Sequence, residues 1–266
     1  MNFENLILDC FDTVVGKDKT TGEVLFVLDQ VKDGSLENSN DTVEMTGKQG
    51  MLLSVMDRNK ASTFSCNNAY LVAGALAAQT GSDIVDASAE QKLTIPDFVR
   101  LNMATATTCV LPNVPVGTVG AEVAFVWKVN KDGTQGEKLV VSSGPVEKGK
   151  FTVDAESKTL TFAEGEFTVD DEVFVDYQYE TEAARLISNV GDKFGKTVHL
   201  LVDILLRDKC DNSMVYHGKL EIPSAKVDGN FTIEVGDEPG VHAFSARATA
   251  DVCSKNKTLW NMYLCQ

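Results

Sequence analysis

The sequence predicts a mainly β protein, a β-barrel or sandwich of strands with one α-helix and one inserted β-module. The first observation is residues 151–180, where apolar and polar residues alternate with period two in three short runs separated by turn residues. The second is the final third of the chain, which holds five more runs rich in β-branched and apolar residues. The third is that a single segment, residues 69–79, has the composition of a helix. Together these observations predict a chain built almost entirely from strands.

The first part of the chain is predicted to form short extended pieces. Residues 21–32 are rich in β-branched and apolar residues and end at Asp33 and Gly34, which predicts a strand entering a turn. In residues 42–64, two glycines and the polar run 57–60 interrupt the extended segments. We therefore expect several short strands here, each bounded by a turn.

The predicted helix covers residues 69–79. Asn67 or Asn68 can cap its N-terminus, and Gly81 lies where a C-terminal cap belongs. Gly74 inside the segment weakens the prediction modestly, because glycine is a poor helix former.

The middle of the chain begins with a strand at residues 91–102, which Pro96 confines to an edge, a strand start or a bulge. Residues 104–120 then shift to Thr, Pro and Gly without periodicity and are the best candidate for a linker. Residues 121–129 alternate again. One face of that strand is predicted to carry Val123, Phe125 and Trp127.

Residues 151–180 predict β-hairpins with one apolar face, and turns are expected at Glu164-Gly165 and at residues 169–171. That face comprises Phe151, Val153, Leu160, Phe162, Val173, Val175, Tyr177 and Tyr179. Such aromatic alternation is compatible with a platform for sugars or bases, but it is more typical of the inner face of a sheet. We therefore expect these side chains to be buried.

After one helical turn predicted within residues 181–191, strands are expected throughout the final third of the chain. They cover residues 197–207, 214–222, 230–235, 241–250 and 258–264. Asp228-Gly229 predicts a hairpin turn between the second and third of these strands. The resulting domain organisation is a discontinuous core, residues 1–108 and 181–266, interrupted by a β-module at residues 109–180.

Composition limits the classes of function. With 39 acidic and 24 basic residues the formal net charge is −15, which disfavours tight binding to nucleic acid, because such binding depends on Lys and Arg. No apolar window is long enough to span a membrane, and the N-terminus lacks the features of a signal peptide. These features predict a protein made in a cytoplasm, where its six cysteines are expected to be free thiols.

The sequence contains no motif for a nucleotide, a zinc ion or an α/β-hydrolase nucleophile, so we assign no catalytic, cofactor-binding or metal-binding residue. Two weaker alternatives are a Cys/His site using His199, His217 or His242, and an ion site at residues 170–172 or 237–238. Adjacent strand residues point to opposite faces, which disfavours the ion site.

Several short segments together resemble major tail tube proteins of bacteriophages. They are residues 46–50 (TGKQG), 56–61 (MDRNKA), 116–122 (VGTVGAE), 151–179, 208–210 (DKC), 222–223 (IP) and 229–234 (GNFTIE). The resemblance extends over most of the chain, although each segment alone is weakly specific. It implies a β-barrel subunit that builds stacked rings, hexameric in this family, around a channel for DNA ejection.

The resemblance also implies a set of partners and a location. The partners are other copies of the chain and tail proteins such as the tape measure, the tail terminator and the baseplate or sheath, with no membrane. DNA passes through the lumen without specific binding, and the protein resides in the virion tail after synthesis in the host cytoplasm. The nearest alternative is a capsid decoration protein or another virion protein, and less favoured are a carbohydrate-binding module and a Cys/His enzyme.

Overall fold

The computed structural model describes residues 6–209, 214–234, 241–250 and 257–265, and confirms a mainly β fold. These residues contain one α-helix, α1 (Ala73–Thr80), and one 3₁₀ turn at Lys48–Gly50. The strands are β1 (Leu6–Asp18), β2 (Val24–Leu28), β3 (Val31–Thr46), β4 (Leu52–Asn68), β5 (Ile84–Asp86), β6 (Leu93–Asn102), β7 (Thr108–Val110), β8 (Val123–Val129), β9 (Gln135–Val141), β10 (Lys150–Asp154), β11 (Thr159–Phe162), β12 (Glu172–Thr181), β13 (Arg185–Ile187), β14 (Thr197–Asp208), β15 (Val215–Val227), β16 (Ile233–Glu234), β17 (Val241–Ala248) and β18 (Asn261–Cys265).

The chain divides into two compact units. Unit one comprises residues 1–84 and 187–266, and unit two comprises residues 85–186. Unit two thus begins earlier than the predicted module at residue 109, because β6 pairs with β12 along its whole length. The prediction of a linker at 104–120 is wrong, since this segment contains β7, which pairs with β11, and the buried Leu111.

Unit one is built on one antiparallel sheet in the order β2-β1-β14-β15-β17-β4-β3, with β16 added to β17 and β18 added to β15. The sheet curls so that β1 approaches β3 and β4. The Phe11 ring of β1 lies 5.5 Å from the Phe64 ring of β4 and also contacts Gly34 of β3. Along β14, Val198, Leu200 and Val202 are fully buried, while the residues between them are partly exposed. This alternation places an apolar core inside the curl and a charged face outside it.

Helix α1 closes the core beside β2. Its Ala75 and Ala78 are buried, and a Cβ at Gly74 would lie 2.1 Å from the Leu25 carbonyl oxygen. Glycine at position 74 therefore permits the close approach of helix and strand. The predicted C-cap is confirmed, because Gly81 adopts the left-handed conformation with φ of 74°.

Several local predictions in unit one are wrong for identifiable reasons. Asn67 and Asn68 end β4 and do not cap α1, and the Asn68 side chain instead accepts from the Gln30 amide and donates to the Tyr70 carbonyl. Asp33 and Gly34 lie inside β3, where a Cβ at Gly34 would come within 2.4 Å of the Phe11 ring. Glycine is needed at position 34 because the Phe11 ring packs against it, and not because the chain turns there.

Two further predictions are corrected by strand pairing. Residues 181–191 contain β13, which pairs with β5, and no helical turn. Asp228 does stabilise a turn by accepting from the Asn230 amide, but β16 then pairs with β17 and not with β15. The predicted hairpin at Asp228-Gly229 is therefore absent from the described strands.

Unit two is a seven-stranded sheet in the order β6-β12-β8-β9-β10-β11-β7, in which only β9 and β10 run parallel among the pairs described. The three strands predicted in residues 151–180 are present as β10, β11 and β12. Only β10 and β11 form a hairpin, because β12 pairs with β6 and β8 and not with β11. The apolar face of these three strands forms the core, with Phe151, Leu160, Val173 and Val175 fully buried and Tyr177 2% exposed. Pro96 lies on an edge strand, as predicted.

One face assignment in unit two is wrong. The register between β12 and β8 shifts opposite residues 123–125, so that Val123 and Val126 are fully buried while Phe125 is 38% exposed. A bulge at this point moves Phe125 and Trp127 to the face opposite Val123.

We predict that unit one folds without unit two. The Arg185 guanidinium binds the Asp86 carboxylate at 2.5 and 2.9 Å, and the Ala87 amide donates to the Ala184 carbonyl, so entry and exit lie side by side. Replacing residues 88–183 with a short Gly/Ser bridge should leave a cooperative thermal unfolding transition, measured by circular dichroism beside the full-length chain. A gradual, non-cooperative melt of the shortened chain contradicts the prediction.

Candidate assembly interface

A long hairpin formed by β3 and β4 is the most unusual surface of unit one. We call residues 37–60 the hairpin arm; its strands are joined by the 3₁₀ turn at Lys48–Gly50. Every residue of the arm is exposed except Gly47 and Ser54, which are partly buried. The predicted break at residues 57–60 is instead an irregularity within β4, where Asp57 and Arg58 pair with β3 and the register shifts before Ala61.

Apolar side chains are concentrated on the arm. Seven of them are exposed by 39–64%, namely Val43, Met45, Met51, Leu52, Leu53, Val55 and Met56. Val43 lies directly opposite Met56, and Met45 lies two residues further on the same face. A charged pair of positions, Asp41 and Arg58, borders this apolar face.

A two-stranded ribbon of this kind is marginal in water, because it has no packed face of its own. Clustered apolar side chains on a protein surface mark sites of interaction. The arm therefore has the physical character of a surface that becomes ordered and buried when another molecule covers it.

Two strands also present open edges. β3 ends the strand order of the sheet in unit one, and in the described chain β18 pairs only with β15. β18 exposes Met262, Tyr263 and Leu264 by 46%, 48% and 38%. Unpaired backbone groups at such edges can accept a strand from another molecule.

The carboxylate of Glu221 holds β18 in place. It accepts hydrogen bonds from the Tyr263 hydroxyl at 2.8 Å and the Asn261 amide at 3.2 Å, and the other oxygen lies 3.1 Å from His199 Nε2. These donors lower the pKa of Glu221, the Asn261 and Tyr263 hydrogen bonds most. The last strand is thus tied to β15 by side chains as well as by its backbone ladder.

Unit two carries an exposed aromatic face. The Phe98 ring stacks 5.4 Å from Phe174 and lies 5.9 Å from Trp127, and Lys138 Nζ sits 3.5 Å from the centre of the Phe125 ring. This face is opposite the one formed by the buried Tyr177. Tyr177, a candidate for an aromatic platform in the sequence, lies inside the core.

Of the described residues considered for a Cys/His site, Cys265 on β18 lies opposite His217 on β15, whereas Cys66 and Cys109 are buried. Burial raises the pKa of the Cys66 thiol to about 12 and that of Cys109 to about 11, which leaves little thiolate at neutral pH. Cys10, Cys66, Cys109 and Cys265 are free, whereas Cys210 and Cys253 lie outside the described residues.

Two of the acidic residues considered for an ion site, Asp171 and Glu172, bind other side chains. Asp171 accepts from the Thr168 amide and hydroxyl, and Glu172 pairs with Arg100. Asp237 and Glu238 lie outside the described residues. Within the described ranges, no three His, Cys, Asp or Glu side chains gather as metal ligands would, and no helix there is long and apolar enough to cross a membrane.

The model of the YomU/Tube protein family matches residues 5–262, nearly the whole chain. This protein belongs to the YomU/Tube family. The resemblance to phage tail tube proteins noted in the sequence is thereby confirmed, whereas no curated protein matches the chain. Membership points to a structural component of a phage tail, located in the virion, and not to an enzyme.

A buried histidine links α1 to the sheet in this YomU/Tube protein. His242 on β17 is 1% exposed, and its Nε2 lies 2.7 Å from the Gln79 side-chain oxygen, while Gln79 Nε2 donates to the Ala243 carbonyl. His242 Nε2 is therefore the donor, and the buried Nδ1 has no partner in the described chain. Burial lowers the pKa of His242, because the charged ring would lose its hydration.

We predict that His242 makes the fold sensitive to mild acid. Because burial lowers the pKa of His242 in the native state, the unfolded chain binds more protons at this ring as the pH falls through ~6.5, so the free energy of unfolding decreases. The measurement is urea unfolding between pH 7.5 and pH 5.5. His242→Gln should flatten this pH dependence, and His217→Gln at an exposed position is the matched control. An equal slope for His242→Gln and the wild type would contradict the assignment.

Proposed function

We propose that this protein self-assembles into hexameric rings that stack into the phage tail tube, and that the hairpin arm is the main contact between copies. The exposed apolar arm is the observation that carries the proposal. Family membership supports it, because a tube must be built from many copies of one subunit.

The shape of the surfaces fits polymerisation in two directions. A head-to-tail contact closes into a ring when its rotation divides a full turn, and an axial contact between rings remains open and extends the filament. The arm, which includes most of the open edge of β3, and the open edge of β18 supply two surfaces for such contacts. An isologous dimer would use only one of them.

The experiment is negative-stain microscopy combined with light scattering over a wide range of protein concentration. The wild type should form rings and hollow tubes. Val43→Asp places a charge on the apolar face of the arm and should raise the concentration needed for assembly at least about tenfold, since burying a valine contributes about 1.5–3 kcal/mol.

The matched control is Val140→Asp, the same chemical change at an exposed position of β9 in unit two. It should assemble like the wild type. Monomers of the wild type at every concentration would refute self-assembly, and normal assembly of Val43→Asp would refute the role of the arm.

We also propose that the tube is a conduit for DNA ejection that works with a tape measure, a tail terminator and a baseplate or sheath. The acidic balance of the chain, −15, supports a net negative lumen that does not retain DNA. A wall rich in Lys and Arg would hold phosphates with an affinity that rises steeply as salt falls. Charge repulsion, by contrast, is screened beyond about 8–10 Å, so a negative wall leaves the channel axis open.

We predict that assembled tubes retain no duplex DNA at 50 mM salt in a co-sedimentation assay. The reason is that an acidic wall offers too few Lys and Arg side chains to bind the phosphates of DNA. A structure of the assembled tube supplies the second measurement, and a lumen lined mainly by Lys and Arg would overturn the charge proposal even if tubes form.

A further inference from the structure

Unit one contains an open cavity of about 670 Å³ beside the residues that follow β15. Three cationic side chains line it: Lys193, Lys226 and Arg247. They come from three separate segments of the chain, namely the segment before β14, β15 and β17. Asn189 also lines the cavity, and its side-chain amide is a possible further hydrogen-bond donor.

The cationic side chains are held close together by the sheet. Lys226 on β15 and Arg247 on β17 are directly opposite in the antiparallel register. Like charges at opposite positions destabilise a strand pair. The Lys226 ammonium donates to the Gly195 carbonyl, which fixes it at the wall of the cavity without neutralising it.

One carboxylate, that of Asp228, lines the cavity beside the three cations, and a second, that of Asp83, interacts with the lining residue Lys193. Asp228 accepts hydrogen bonds from the backbone and side chain of Asn230 at 2.9 Å. Asp83, whose pKa Lys193 helps to lower, is bound by Lys196 at 2.7 Å. Within the described residues, neither Lys226 nor Arg247 forms an ion pair.

The rim of the cavity favours a protein ligand over a small anion. Phe194 lines the cavity and is 78% exposed, an unusual position for a large aromatic side chain. Aromatic and arginine side chains together are typical of the energetically important centre of a protein interface. An inorganic ion would leave the Phe194 ring in water.

We propose that this cavity binds an acidic segment of a second copy of the chain. Carboxylates of that segment pair with Lys193, Lys226 and Arg247, and one of its apolar side chains contacts Phe194. The inference rests on the proposed self-assembly and specifies one electrostatic contact between neighbouring copies. Copies with a net charge of −15 repel one another, so association requires places where negative side chains meet positive ones. In the described chain, this cavity brings three cations to one such place.

The first test is zero-length carbodiimide cross-linking of assembled protein made from equal amounts of light and heavy isotope-labelled chains. The reagent joins a lysine amine directly to a carboxylate. Mixed light–heavy peptides linking Lys226 or Lys193 to an Asp or Glu are expected. Links at these lysines found only within one copy would overturn the proposal, because the counter-charge would then be internal.

The second test compares Arg247→Glu with Lys131→Glu, which makes the same change of charge at an exposed turn of unit two. Arg247→Glu should raise the concentration needed for assembly roughly tenfold and weaken its dependence on salt, since charge attraction is screened by ions. The control should assemble normally. Thermal unfolding of both variants checks folding, and the milder Arg247→Gln should shift assembly in the same direction.

The outcomes separate this inference from the proposed function. If the wild type forms tubes and Arg247→Glu and Arg247→Gln form them at the same concentration, the cavity contact is refuted while self-assembly stands. Wild-type protein that stays monomeric refutes both. The alternative ligand for a cationic cavity is the phosphate backbone of nucleic acid. Its probe is a 20-base-pair DNA duplex, whose binding is measured by fluorescence anisotropy. Binding of this duplex that depends on Arg247, without cross-links between copies, would assign the cavity to phosphate and overturn the proposal.

Discussion

The β14–β15 strand pair is the interaction on which unit one depends. β1 is attached to β14, and β17 and β18 are both attached to β15, so every other strand joins the sheet directly or indirectly through this pair. On its inner face, Leu200 and Ile222 are fully buried. On its outer face, Asp203 pairs with Lys219 and His199 approaches Glu221. The two faces of this strand pair therefore differ in function. Burial of the inner face stabilises the sheet, and the charged outer face interacts with solvent.

Sequence reasoning succeeded where structure is determined by neighbours along the chain. Residues 151–180 alternate in three runs separated by turn residues, so the three strands and their buried face were predictable. The partners of β12, namely β6 and β8, are distant in sequence and were not predictable in this way. Sequence reasoning failed where a distant residue determines the local conformation. Gly34 resembles a turn residue in sequence, but its small size serves the Phe11 ring of another strand. The cap at Asn68 was also misassigned, since its side chain binds the backbone at Gln30.

The candidate interface was even less accessible from sequence. The arm, residues 37–60, lacks a buried face, so it has no alternating pattern to reveal two long strands, and residues 57–60 resemble a turn. The cationic cavity joins Lys193, Lys226 and Arg247 only through the sheet, and no spacing in the sequence could connect them. Family membership was predictable because it depends on many weak segments spread over the chain. What the surfaces do together depends on long-range pairing.

The hairpin arm has a kinetic consequence under the proposed assembly. The first two copies to meet must order two ribbons and overcome the repulsion of like net charges, yet they gain only one contact. A copy arriving at a finished ring meets several prepared surfaces at once. Initiation is then far slower than growth, and filaments appear after a lag unless a preformed end is present. Another component that offers such an end would decide where each filament begins and how many there are, while the subunit pool stays dispersed elsewhere.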